Sequence, residues 1–292
     1  MSNMSELKSR LRAITQTRQI TGAMYLLSTS RMKKAMQNID YNIAYMHELR
    51  ATMKDIIQKA SANEISNRFT SMQGEGITLF IAITSDKGLC GSYNSDIVDK
   101  TLELIKKNSR ECILLSIGSV GNGMFEEAGY PPDYNWSDVL ARPSLPVASD
   151  ISKIIIDLYR QHEVNEAFVV FTEYQSSSVQ IPVCERVLPL LSKDFDDISD
   201  DFKYNSVPIY EPDMTEVFDL MVPNYLTGLM YDIIMQSAAS ENSARMRAMQ
   251  NATDNADEMI EELSAKINAE RQLAITNEIL EISAAADISG AV

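Results

Sequence analysis

The chain has 292 residues, of which 45% are hydrophobic, and a formal charge of -15; that is enough apolar material to bury one large core or two modest ones. Its three cysteines (Cys90, Cys112 and Cys184) are scattered and never spaced as CxxC, which leaves no case for a disulfide framework or a cysteine-built zinc site and suits a reducing compartment. No run of about 18 apolar residues occurs, and no apolar stretch follows Lys8, Arg10 and Arg12, so neither a bilayer-spanning helix nor a secretory signal is expected.

From Ser5 to about Ala60 the chain has no proline and one glycine, Gly22. Apolar residues recur at three- and four-residue steps through Leu7, Leu11 and Ile14 and again through Ile39, Ile43, Met46, Leu49, Met53 and Ile56. This periodicity predicts one long helix, on the order of 80 Å at 1.5 Å per residue, whose apolar stripe has to find a partner. Residues 1–60 carry ten Lys/Arg against four Asp/Glu, whereas residues 61–220 carry twelve against twenty-six and residues 221–292 four against eleven. A basic first helix in an acidic molecule can steer an acidic partner to one end, within a screening length of about 10 Å. The acidic remainder argues against nucleic-acid binding.

After Gly74 and Gly76 the pattern changes. The β-branched apolar runs Ile77–Thr84, Glu111–Gly118 and Ala167–Tyr174 read as buried strands. Helical patterns at Ser95–Lys107 and Ser149–His162 separate them, and a further strand-like stretch covers Val179–Val187. Alternating strands and helices predict a largely parallel sheet. The acidic run Asp194–Asp201 reads as a mobile surface loop. From about Tyr225 to Ile282 proline is again absent, and Leu229, Ile233, Met246, Met249, Ala252, Ala256, Met259, Leu263 and Ile267 fall at helical spacing. Two long terminal helices predict an antiparallel coiled coil, with a Met- and Ala-rich seam expected to be irregular.

Catalytic chemistry is hard to find. No GxxxxGK[ST] loop is present to cradle phosphates. The glycines of Gly118–Gly123 miss the GxGxxG spacing. Cys90 in GLCG lacks a base in its sequence context and reads as a structural thiol, and neither His47 nor His162 sits in a catalytic string.

Dense strings occur instead at both ends and in the middle: LKSRLRAITQTRQITGAM followed by TSRMKKA (Thr29–Ala35), ITSDKGLCGSYN (Ile83–Asn94), YNSVPIYEPD (Tyr204–Asp213), LMVPNYL (Leu220–Leu226), SAASENSARMRAMQNATDNADEMI (Ser237–Ile260) and NAERQLAITNEI (Asn268–Ile279). In this order they resemble the gamma subunit of F-type ATP synthases, over nearly the whole chain. The resemblance implies an α/β fold with three parts: an N-terminal coiled-coil helix over 1–60, a Rossmann-like α/β foot over 74–210 and a C-terminal coiled-coil helix over 220–286.

By the same resemblance the chain is a central-stalk rotor. It has no cofactor, metal or catalytic site of its own, and it couples ion flow through the membrane rotor to ATP synthesis or hydrolysis at three catalytic beta subunits. Its implied partners are a ring of three alpha and three beta subunits, an epsilon subunit and the membrane c-ring, on the cytoplasmic face of a bacterial-type membrane and without membrane insertion. Arg271 and Gln272 match the pair that hydrogen-bonds a loop of the catalytic subunit. Met24 and Lys87 match positions near the same ring, Arg31, Lys33 and Lys34 match a basic cluster facing an acidic beta-subunit loop, and Tyr210 and Glu211 match the foot against the rotor ring. Gly22 stands where the family usually has lysine and implies either a locally weakened helix or close packing. Val120 stands where a lysine is common. These departures and the acidic charge leave room for a divergent motor, or for a non-rotary coiled-coil adaptor built on the same architecture.

Overall fold

A computed structural model describes residues 2–62, 69–70, 76–198, 210–211 and 213–289, with side chains over 4–58, 69–70, 76–198, 210–211 and 213–282. Its elements are α1 (Ser2–Ala62), β1 (Thr78–Ile83), α2 (Tyr93–Lys107), β2 (Cys112–Ile117), α3 (Ser119–Glu127), β3 (Tyr134–Trp136), α4 (Leu145–Arg160), β4 (Glu166–Tyr174), β5 (Gln180–Leu188) and α5 (Met214–Ser289). They group into two compact units, one of residues 1–28 with 246–292 and one of residues 29–245.

The first unit is an antiparallel pair of helices. Along α5 the less exposed positions include the series Met249, Thr253, Ala256, Ile260, Leu263, Ile267 and Glu270, flanked by half-buried Met246, Ala248, Ala252, Asp257 and Ser264, and along α1 the series Met4, Leu7, Leu11, Ile14, Thr21, Tyr25 and Ser28, flanked by half-buried Thr15, Gly22 and Met24. Steps of four and three alternate on α5, and those of α1 match once Arg18 is counted in. This is the 3.5-residue repeat of a left-handed coiled coil. The heptad series needs exposed Arg18 to be unbroken on α1 and has further half-buried positions beside it on both helices, and the seam's chemistry is mixed as well. Met259 points outward, and small or hydroxylated residues fill much of the seam. Thr253 bonds across it to Thr21 (Oγ1 to Oγ1, 2.7 Å), and Arg18 grips Asp257 with Nε and Nη2 at 2.9 and 3.3 Å. These polar pairs fix the register that a Leu/Ile seam would fix by shape. Gly22 is not a close-packing site, because a methyl group there would meet nothing within 4 Å; of the two readings of this glycine, the weakened helix remains.

The second unit is built on a five-stranded sheet in the order β3-β2-β1-β4-β5, parallel except for β5, which runs antiparallel to β4. Every residue of β1 is buried, as a strand covered on both faces requires. On one face α2 and α3 pack over Phe80, Leu114 and Val170 around Ile97 and Phe125. On the other face α4 and the segments of α1 and α5 that belong to this unit cover Leu79, Ile81, Leu115 and Val169, with Met53, Ile56, Tyr159, Leu226 and Ile233 among the buried side chains.

Four features differ from the sequence reading. The glycine-rich stretch after β2 is the helix α3, and a short parallel strand, β3, follows it. The last helix starts at Met214 and carries Pro223 inside it. That proline removes one ladder hydrogen bond, which the burial of Phe218, Val222, Tyr225 and Leu226 offsets. The first half of the acidic run is pinned rather than loose: Phe195 is fully buried, Asp194 pairs with Arg186 and Asp197 with Arg50, both at 2.6 Å. Gly74, residues 199–201 of the acidic run and residues 204–209 and 212 of the string before the last helix lie outside the described residues.

Candidate partner-contact surface

The central string SDKGLCG forms the turn between β1 and α2, and side-chain hydrogen bonds shape it from within. Asn94 Oδ1 accepts from the Ser85 amide at 2.8 Å, and its Nδ2 donates to Ser85 Oγ at 2.8 Å and to Cys90 Sγ at 3.3 Å. Leu89 and Gly91 take left-handed conformations, φ 64° and 61°, so the chain reverses sharply and leaves Lys87, Gly88 and Leu89 exposed. Cys90 is buried, and burial pushes its thiol pKa up. A nucleophilic thiolate needs the opposite shift, so Cys90 serves the turn's architecture.

The turn is tied to α5 by a residue the sequence reading passed over. Arg245 donates from Nη2 to the carbonyl oxygens of Lys87 and Gly88 at 2.7 and 3.2 Å and pairs with Glu241 at 2.7 Å, with both side chains less than 10% exposed. Burial raises the Glu241 pKa, while Arg245 and, more weakly, Arg31 pull it back. Arg31 of α1 thus shares the field of the pair that holds the Lys87 turn. The sequence signal was the spacing of Glu241 and Arg245, four residues apart in a stretch otherwise made of Ala, Ser and Asn, where a charged pair has no surface reason to sit.

The place where a doubly wound sheet binds its ligand is occupied by the chain itself. β1 is flanked by β2 on one side and β4 on the other, so the crevice lies at their carboxyl ends. There Ser240 Oγ donates to the Thr172 carbonyl at 3.0 Å, and Tyr93 Oη reaches the Ser237 and Ile83 carbonyls, each at 3.4 Å. The amides that open α3 are also spent: Ser119 on Asp86 Oδ1, Val120 on the Ser85 carbonyl and Gly121 on Thr84 Oγ1, at 3.1–3.2 Å. A methyl group at Gly121 would sit 2.2 Å from Thr84 Oγ1, so this glycine permits close helix–strand approach and frees no phosphate cradle. Among the described residues no cluster of three metal-ligating side chains occurs.

The expected contact residues sit as follows. In the helical pair Met24 is half-buried and Arg271 and Gln272 are exposed. The register set by Arg18 and Asp257 places Arg271 level with Met4, and beyond it α5 runs on past the described residues of α1. Residues 271–282 are exposed throughout, including Leu273, Ile275, Ile279, Leu280 and Ile282. In the sheet unit Arg31, Lys33, Lys34 and Lys87 are exposed and Tyr210 is half-buried, its hydroxyl bonded to the Asp55 carboxylate, while its neighbour Glu211 is exposed. No helix of the described residues is long and apolar enough to cross a membrane.

A family model described as ATP synthase matches residues 3–288. The ATP synthase gamma chain of Ruminiclostridium cellulolyticum is 36% identical over 96% of this chain and 97% of its own length. That of Caldicellulosiruptor saccharolyticus is 36% identical over 98% and 96%. The chain belongs to the ATP synthase gamma family. Among solved structures the fold is similar to a chain of the Euglena gracilis mitochondrial ATP synthase rotor, with a TM-score of 0.64, 14% identity and coverage of 94% of this chain and 99% of that one. It is also similar to a chain of the Tetrahymena thermophila central stalk and c-ring structure, with a TM-score of 0.59, 22% identity and coverage of 80% and 99%. As a gamma chain it is a subunit of an ATP synthase.

Proposed function

We propose that this gamma chain is the central-stalk rotor of an F-type ATP synthase. It turns inside a ring of three alpha and three beta subunits and rests with its sheet unit on a membrane c-ring. The observation that carries the reading is the exposed apolar end of α5. Five large apolar side chains between Leu273 and Ile282 lie bare on a helix that elsewhere pairs through a heptad seam, and an apolar tip of that kind calls for a surrounding protein sleeve.

Coupling follows from asymmetry. A shaft shifts the equilibrium of a catalytic subunit only if each orientation contacts that subunit differently, and the two sides of this chain are unlike. The cations Arg31, Lys33, Lys34 and Lys87 meet acidic loops of the catalytic subunits. Arg271 and Gln272, and Met24 farther along the same helical pair, hold loops of the ring, the guanidinium binding a carboxylate or carbonyl in a planar fork. Tyr210 and Glu211 face the c-ring, and an epsilon subunit completes the stalk. The chain leaves the chemistry to the catalytic subunits and works at the cytoplasmic face of a bacterial-type membrane in a complex driven by protons or sodium ions.

The test is purification of a tagged copy from native membranes at low salt, with mass analysis of co-purifying chains. Recovery of two nucleotide-binding subunits at three copies each per tagged chain is expected. Recovery of the chain alone, or with unrelated proteins, overturns the rotor reading in favour of a non-rotary adaptor.

A further inference from the structure

The sheet unit contains a cavity of about 620 Å³ between β5, the turn at residues 190–198 and the facing segments of α1 and α5, in the size range of ligand sites. Four carboxylates line it, from Glu185, Asp194, Asp197 and Asp232, against the two guanidinium groups of Arg50 and Arg186. Both arginines are paired, Arg50 with Asp197 and Arg186 with Asp194, although the buried Arg50 Nε keeps one donor without a hydrogen-bond partner among the described residues. Among the described residues Asp232 accepts only from Gln236, at 2.7 Å, and neither it nor Glu185 has an ion pair. Tyr225, 5% exposed, also lines the cavity, and its hydroxyl has no hydrogen-bond partner among the described residues. A hydroxyl in a cavity wall without a protein partner is open to an entering donor or acceptor. Met46, Leu229 and Ile233 supply an apolar wall.

We propose that this cavity binds a primary alkylammonium group, with Glu185 and Asp232 as its carboxylate partners, Tyr225 Oη as a further acceptor and the Met46–Leu229 wall along its alkyl stem. An ammonium offers three donors that turn to suit a non-planar set of acceptors, and its methylenes pack on apolar surface while the charge meets the carboxylates. A bound metal is the poorer fit, since no three metal-ligating side chains among the described residues converge on one point. The same chemistry can come from a free polyamine or from a lysine side chain of a partner protein.

The experiment is calorimetric titration of the full-length chain with spermidine at fixed ionic strength. It is run beside Glu185→Gln with Asp232→Asn, beside Tyr225→Phe, and beside Glu126→Gln with Glu127→Gln, which removes two carboxylates from exposed positions on α3. Saturable one-to-one binding is expected, weakened tenfold or more by the first pair, weakened severalfold by Tyr225→Phe and unchanged by the α3 pair. No saturable binding, or equal loss from both carboxylate pairs, overturns the proposal and assigns any affinity to general acidity. Where site-specific binding is found, spermidine is added to the complex isolated from membranes. Displacement of a bound subunit identifies a partner's lysine as the natural occupant, and an intact complex identifies a free amine. The titration uses the chain alone, so its outcome is independent of the rotor reading.

Discussion

Arg245 on the last helix donates from Nη2 to the carbonyl of Lys87 at 2.7 Å, so a side chain from one end of the sequence fixes the turn at the edge of the central sheet. Because the same guanidinium neutralises buried Glu241, removing it leaves an uncompensated carboxylate. Breaking a buried pair on one side costs about 3–5 kcal/mol. Arg245→Met is therefore expected to lower the denaturation midpoint sharply, and Glu241→Gln with Arg245→Met together to recover much of the loss. Equal destabilisation by the single and double changes would show that the contacts to the turn carbonyls, and not the charge, carry the effect.

Gly22 and Gly228 make opposite demands on a methyl group. At Gly22 the space is open, so Gly22→Ala is expected to stabilise the helical pair by about 1 kcal/mol through helix propensity alone. Slower amide exchange over residues 18–26 would report it, and unchanged exchange would deny it.

At Gly228 a methyl carbon would lie 2.4 Å from Met46 Sδ, so the Met46 side chain, 9% exposed, occupies the space the bare position leaves and would have to move. Gly228→Ala is expected to cost about 1–3 kcal/mol by overpacking. Combining it with Met46→Ala is expected to cost less than the sum of the two single changes, and simple additivity would place the strain elsewhere.

Much of this architecture was legible because it is periodic. Ile77–Thr84 and Ala167–Tyr174 are apolar on both faces, as strands covered by helices must be, and the long helices declare themselves through unbroken three- and four-residue steps. Where the chain does not repeat, the sequence was silent or misleading. Gly118, Gly121 and Gly123 resemble a loop, yet two of them serve α3: Gly118 caps it at φ 100° and Gly121 lets it approach Thr84. The acidic run looks solvent-borne until Arg50 and Arg186 arrive from 147 and 8 residues away to pair with it. Arg245 escaped notice for the same reason, since its partners at Lys87 and Gly88 are distant in sequence. Arg271, Lys33 and Lys34 are a different matter, because an exposed side chain awaiting another protein leaves no trace in its own chain beyond its type and its exposure.

Burial pushes the Tyr225 hydroxyl pKa from about 10 up to about 12. A folded-state pKa raised above the unfolded value means stability that is fully present below pH 10 and lost as pH climbs through 12. A shift of that size corresponds to roughly 2–3 kcal/mol. Tyr225→Phe is expected to flatten the dependence of unfolding free energy on pH across this interval by about that amount, although Tyr93, also raised by burial, will keep some slope. An unchanged slope in alkaline denaturation would mean that Tyr225 meets water more freely than its packing indicates.

Ending the chain after Ala269 separates folding from function. Residues 271–282 are exposed throughout, so of the seam the truncation takes only the last position, Glu270, and keeps everything through Ile267; the thermal midpoints of the full chain and the truncated one should agree within about 2–4 °C, the shift that 1 kcal/mol gives a domain of this size. If the apolar end and the Arg271–Gln272 pair transmit torque, the assembled complex should instead lose stability and ATP-driven rotation. Rotation under load, measured on single complexes, reads the difference directly. Full torque from the shortened shaft would remove Arg271 and Gln272 from the contact surface and leave the work to Lys87 and the basic cluster of α1.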